Sequence, residues 1–367
     1  MNALIDLSAN NAVGDFVRDV LFPNSPALAW AANGLLGVVA LLLFPVFLGA
    51  PFLIWMERKV CAHMQARLGP MRHGPHGAVQ TIADVVKLVF KEIAPPGGVD
   101  RLVYLLAPGI PLTASFLVLA VVPWGANLQV ADPEQGVFYV VAVGALGLLG
   151  FLVGAWASNN KFALLGAMRA GAQMLSYEIS LSVLLLLVML LSGESSLREI
   201  VLSQRGTVLD WWVFKAPVVG LLAFVLYLVS STAELNRGPF DLIEAEQELT
   251  AGYQTEYSGM GFSMFYLAEY VNMTIQAALV STFFLGGFLP PLVGIAPVDA
   301  ALAAVPGVVW MVAKTLAIVF VYMWFRWSFP RPRVDQLLAL EWKTLLPANL
   351  AVFALGMLAL AMGWILP

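Results

Sequence analysis

The chain has 367 residues, of which 60% are hydrophobic and only 11% charged, and its mean hydropathy of +0.84 excludes a soluble domain, which needs far more polar surface. A net charge of -4, with 19 basic residues scattered in short clusters, argues against nucleic-acid binding. The single cysteine, Cys61, excludes an internal disulfide and every iron-sulfur cluster or structural zinc site that draws several thiolates from one chain, so any redox cofactor belongs to a partner.

Residues 1–33 carry Asp6, Asp15, Arg18 and Asp19 ahead of Pro23 and Pro26. They lack the basic start and apolar run of a cleaved signal peptide, and read as a retained N-terminal extension. Residues 34–367 read as one membrane domain with eight apolar segments of spanning length, near 34–56, 102–124, 136–157, 173–192, 213–233, 262–289, 305–327 and 344–366. These runs are continuous and lack period-two alternation, so the fold class is all-α, a transmembrane helix bundle.

Loop charges orient the bundle. The first connection holds Arg58, Lys59, Arg67, Arg72, Lys87 and Lys91, the third Lys161 and Arg169, and the seventh Arg331, Arg333 and Lys343. The even connections at 125–135 and 290–304 have no Lys or Arg, and that at 193–212 has only Arg198 and Arg205. The odd loops are therefore expected in the cytoplasm and both termini in the periplasm of a bacterial inner membrane.

Within the first connection, Gln80, Asp84, Lys87 and Lys91 share one side of a helix, and Val79, Ile82, Val86, Val89, Phe90 and Ile93 cover the other. This amphipathic helix either floats at the lipid interface or packs on the bundle as part of a binding site. The preceding run from Gly69 to Gly77 is rich in turn residues and cannot be helical. Cys61, His63, His73 and His76 lack the carboxylate and the compact spacing of a known metal pattern, so they read as solvated histidines and no metal site is assigned.

The fifth connection concentrates Glu234, Asp241, Glu244, Glu246, Glu248 and Glu256 around one base, Arg237. A helix beginning after Pro239 would stack Asp241, Glu244 and Glu248 on one face. The stretch is either a solvated acidic surface helix or a buried cluster, and the interleaved Phe240, Leu242, Ile243 and Leu249 favour burial. Clustered carboxylates raise one another's pKa towards the range of a proton relay.

Ionisable groups inside spans are functional signals by default. Glu178 opens the fourth span with no base in it, Glu269 lies in the sixth and Lys314 near the middle of the seventh. Glu269, Asn272 and Gln276 recur at i, i+3 and i+7, giving the sixth span a polar stripe that must face the interior. A buried ion pair competes with a functional role for Glu269 and Lys314.

Several long strings carry a family resemblance. They are ERK at 57–59, QARLGP at 65–70, GPHG at 74–77, ADVVKLVFKE at 83–92, ASNNKFALLGAMRAGAQMLSYE at 157–178, AELNRGPFDLIEAEQELTAGYQTEYSG at 233–259 and FPRPRVDQLLALEWKTLLP at 329–347. On these, the chain resembles the H-subunit family of respiratory complex I over all but its N-terminal extension. The departures are Leu235 and Gly238, where Thr or Ala and Thr or Leu are more usual, and neither removes a charged position. The resemblance implies a subunit without cofactor, set between a peripheral arm that holds FMN and iron-sulfur clusters and a row of small and antiporter-like membrane subunits. It implies quinone as substrate, entering from the lipid bilayer near the amphipathic helix. It implies Arg58, Arg67 and Arg237 on the rim of the quinone chamber, with Glu234, Asp241, Glu244, Glu246 and Glu248 on the loop beneath, and an acidic path through Glu178, Glu256 and Glu269, to which Lys314 is added as an intramembrane charge. The homologous component of a membrane-bound hydrogenase is the alternative within the superfamily. A self-contained transporter would need inverted repeats, and the chain has no convincing one. A membrane scaffold would not need the buried acids.

Overall fold

The computed structural model describes Val39 and residues 49–126, 128–243 and 250–363. The N-terminal extension, most of the expected first span, and Glu244, Glu246 and Glu248 lie outside these residues. In chain order the helices are α1 (Ala50–Met64), α2 (Val79–Phe90), α3 (Arg101–Leu106), α4 (Gly109–Val121), α5 (Gly136–Ala157), α6 (Lys161–Ser192), α7 (Leu197–Leu202), α8 (Trp212–Lys215), α9 (Val219–Glu234), α10 (Gly259–Phe284), α11 (Ala296–Ala303), α12 (Gly307–Ser328), α13 (Val334–Leu340) and α14 (Leu346–Ala361). Among the described residues there is no strand beyond an isolated bridge between Gly125 and Leu128, so the fold is all-α.

Among the described residues, five stretches are long and apolar enough to cross a membrane: Arg101–Val121, Gly136–Ala157, Lys161–Ser192, Gly307–Ser328 and Val334–Ala361. Helix α5 occupies the expected third span residue for residue. The other boundaries differ for local reasons. The second span is broken into α3 and α4 at Pro108, whose ring cannot donate an amide hydrogen. The fourth begins well before residue 173, because Asn160 caps α6 by accepting from Phe162 N at 2.8 Å and the helix runs 32 residues. Lys161 and Arg169 therefore stand on that helix rather than in a loop. Pro217 separates α8 from α9, which is 16 residues long. Helix α10 has 26 residues but is not among those five stretches, and the polar residues Glu269, Asn272 and Gln276 interrupt its apolar run. The last span starts at Val334, ten residues ahead of its expected start, through a π-turn at Glu341–Leu345 that joins α13 to α14.

Lipid gives helices no hydrophobic reason to associate, so close packing of small residues and interhelical hydrogen bonds must hold them. Both are present. A Cβ on Gly150 of α5 would sit 2.2 Å from Pro111 Cδ of α4, and one on Gly166 of α6 would sit 2.9 Å from the Gly252 backbone. Ser115 of α4 donates to Asn272 of α10 at 2.7 Å, and Ser231 of α9 meets Tyr322 of α12 at 2.8 Å. The amphipathic helix α2 packs on α10 and α1, buries Thr81, and leaves Val79, Ile82, Val86, Val89 and Phe90 exposed. It is docked on the bundle while its apolar side faces outward.

Candidate functional site

Two polar assemblies within the bundle are joined by α10. The first is built around Glu57. Ala50, Leu53, Glu57 and Cys61 are buried at helical spacing on α1, so Glu57 points inward while its neighbour Arg58 is exposed. The Glu57 carboxylate accepts from Arg237 Nη1 at 3.2 and 3.3 Å, from Tyr270 OH at 2.7 Å and from Arg326 of α12. Arg237 stacks over the Tyr270 ring with its guanidinium carbon 4.5 Å from the centroid, and its Nη2 lies 3.9 Å from Glu269 Oε2. Glu269 Oε1 accepts from Tyr253 OH at 2.8 Å and from Gln254 Nε2 at 3.3 Å. Two acids and two arginines thus balance. Burial works against the charge on Arg237, yet the Glu57 carboxylate, followed by Tyr270 and Glu269, more than offsets it and raises its pKa further. The Nε and Nη2 groups of Arg237 are buried without a hydrogen-bond partner.

Local chain geometry puts Arg237 there. After α9 the chain turns through Asn236 in the left-handed region, φ +51°. The Gln173 amide of α6 holds that turn by donating to the carbonyls of Ala233 at 2.7 Å and Phe240 at 2.9 Å and to Asn236 Oδ1 at 3.1 Å. Gly238 lies directly against Arg326, where a Cβ would approach its Cγ to 2.9 Å. Asp241 is buried and accepts from Arg331 at 2.8 Å. The chain is not helical at 241–243, so no helix starts directly after Pro239 as the spacing of its acids suggests.

The second assembly is a cavity of about 60 Å³ among α4, α5, α6, α9 and α10, room for more than one water molecule. Its polar lining is Glu178, Ser182, Tyr227, Glu234, Asn272 and Gln276. Gln276 donates to Glu234 at 3.0 Å and accepts from Tyr227 OH at 3.2 Å. No lysine or arginine lines it. The α10 stripe connects the two assemblies, since Glu269 belongs to the first while Asn272 and Gln276 line the second, about 5 and about 10 Å further along the helix axis.

Other expected site residues stand apart. Arg58 pairs with Asp84 of α2 at 2.7 Å on the surface, and exposed Arg67 bonds Gln65 at 2.7 Å. Glu256 accepts from Asn160 at the start of α6, about 25 Å along that helix from Glu178. Lys314 does not pair with Glu269. Its ammonium donates to the carbonyls of Leu285, Gly287 and Leu289 at 2.7, 2.9 and 2.8 Å and lies 4.2 Å from the Trp211 ring centroid, at the far end of α10 from Glu269. His63, His73 and His76 are exposed, and the described residues contain no group of three or more His, Cys, Asp or Glu able to hold a metal.

Sequence reasoning missed Glu57, Gln173, Arg326 and Tyr270. The inward stripe of α1 was a signal for Glu57, hidden because the same turn carries Arg58 and Lys59. The other three sit in long family strings or aromatic runs without a spacing of their own.

Known proteins give the context. A family model described as NADH dehydrogenase matches residues 36–357. The chain is 46% identical over 89% of its length to the H-type subunit of NADH-quinone oxidoreductase from Bacteroides fragilis, covering 90% of that protein. It is 48% identical over 86% of its length to the corresponding protein of Geobacillus kaustophilus, covering 90%, and 43% identical over 90% to that of Chlorobaculum tepidum, covering 93%.

Proposed function

The chain belongs to the family of NADH-quinone oxidoreductase H subunits, and from that premise we propose that the Glu57–Arg237–Glu269 assembly walls a quinone chamber and that the Glu178–Glu234 cavity begins an acidic path which couples quinone reduction to proton translocation. As a membrane component of that complex it supplies no redox group of its own. FMN and the iron-sulfur clusters belong to a peripheral arm docked on the cytoplasmic face, and small and antiporter-like subunits continue the membrane domain beside it.

The observation that carries this reading is Arg237, a buried guanidinium held between two carboxylates on separate helices, with two nitrogens, Nε and Nη2, that donate no hydrogen bond. Unpaired buried donors are rare and ask for an acceptor. A quinone oxygen, which gains negative charge on reduction, is such an acceptor, and a site shielded from water strengthens the attraction. Reduction to quinol takes two electrons and two protons. Arg237 drawn towards a reduced headgroup would loosen its hold on Glu57 and Glu269, and the α10 stripe carries that field change to Glu234 through Gln276. Glu178 and Glu234, which share a cavity that holds no cation, respond by binding or releasing protons.

Replacing Arg237 with Ala is the test. Quinone reductase activity should fall at least tenfold, the loss of one charge-assisted hydrogen bond, while electron transfer from NADH to an artificial acceptor in the peripheral arm persists. Equal loss of both in an assembled complex would count against the chamber. Placement in the bacterial inner membrane with periplasmic termini is part of the same proposal. A cysteine in the 129–135 loop should then react with impermeant thiol reagents from the periplasm, and labelling from the cytoplasm alone would invert the orientation.

A further inference from the structure

One buried carboxyl lies outside the path proposed above. Glu341 is 1% exposed and opens the π-turn between α13 and α14, a local widening that recurs at functional sites. Ser180 Oγ of α6 donates to Glu341 Oε1, while Oε2 is buried with no hydrogen-bond partner. No basic side chain among the described residues forms an ion pair with it. Lys343 on the same turn is exposed. On α6, the element packed against this turn, the nearby titratable groups are Tyr177 and Glu178. Tyr177 gives its hydroxyl to the Leu337 carbonyl at 3.2 Å. Glu178 faces away, because residues two apart on an α-helix point about 200° apart.

The polar character continues along the last helix. Asn349 is fully buried, and both atoms of its amide lack partners. It follows Glu341 by eight residues, about two turns once the extra residue of the π-turn is counted, so it shares the Glu341 side of the helix. The buried positions beyond it are Val352, Gly356 and Ala359. A seam that only had to pack would carry such residues throughout. An ionised carboxylate buried without a cation is strongly disfavoured, whereas a protonated one can use Ser180 as acceptor.

We propose that Glu341 is a second proton-loading carboxyl, on the face of α6 opposite Glu178, which takes up and releases a proton during turnover with Ser180 as its hydrogen-bond partner and the Asn349 amide two turns along the same side of the last helix. In loading, a proton from water adds to a carboxylate oxygen and forms an O–H bond, and in release the same bond breaks and returns the proton to water. No electron is exchanged. The inference rests on the coupling function proposed above.

The test uses the whole complex in sealed membrane vesicles, with two readouts: electron transfer to quinone after an ionophore has collapsed the gradient, and protons pumped per quinone reduced. E341Q and E341L should assemble, sustain uncoupled electron transfer and lose pumped protons per quinone, and E341D should regain part of the ratio. A structural hydrogen bond alone would let E341Q pump normally, and a wild-type ratio in E341Q or E341L overturns the proposal. Should neither variant assemble, S180A leaves the acid in place but removes its partner, and a wild-type ratio there overturns it equally. E178Q separates the two ideas. A normal ratio in E178Q beside a lowered one in E341Q would sink the Glu178 path and keep Glu341, and the reverse would sink Glu341 alone.

Discussion

The two acid assemblies solve the problem of burying carboxylates in opposite ways. Around Glu57 the acids are neutralised by Arg237 and Arg326, with Tyr270 and Tyr253 completing the hydrogen bonds. In the cavity, Glu178 and Glu234 share one lining that holds no lysine or arginine, and Glu234 has the Gln276 amide as its donor. A paired acid keeps its charge and acts through position. An unpaired one can change its charge and thus carry a proton. Helix α10 serves both, because Glu269 ends in the ion cluster and Asn272 and Gln276 in the cavity.

The sharpest break in this contrast comes from Glu57→Ala. Arg237 and Arg326 would then lose their shared carboxylate, and leaving buried charge uncompensated costs about 3–5 kcal/mol. We expect little assembled complex in membranes by native electrophoresis, whereas Glu234→Gln, which removes no cation's partner, should assemble at wild-type levels. Similar yields of the two would mean that the cluster is not held by charge. A smaller effect is expected at Lys314, which is bound to three backbone carbonyls and to no acid. Lys314→Met should lower thermal stability by about 1–3 kcal/mol, the usual consequence of stranding buried acceptors, and should leave protons pumped per quinone as in the wild type. A lowered ratio with normal stability would return Lys314 to the proton path.

The polar stripe on α10 was legible in the sequence because i, i+3 and i+7 spacing is a property of one helix. So was the all-α bundle, since the apolar runs have spanning length. What Glu269 and Lys314 each pair with was not legible, because partners are set by which helix ends meet. Glu269 lies near the Arg237 turn, and Lys314 lies where α10 ends at Leu285. The residues assigned to the proposed chamber were read unevenly for the same reason. Arg237 is buried between Glu57 of α1 and Glu269 of α10, and Asp241 is buried against Arg331 of the seventh connection, whereas Arg58 and Arg67 point to the surface. Glu341 lies within a long family string but could not be singled out there, because its burial depends on a π-turn that no residue pattern announces.

In the proposed function, an acid without a cation moves protons while the paired cluster holds its charge. Glu178→Gln puts that to the test, since it keeps the size and most of the hydrogen-bonding capacity of the side chain but cannot ionise. Protons pumped per quinone reduced should fall in vesicles containing the assembled variant, with quinone reductase activity strongly reduced, and Glu178→Asp should retain part of both. Pumping at the wild-type ratio and rate in the Gln variant would overturn the proton role and make Glu178 a hydrogen-bonding residue of the bundle.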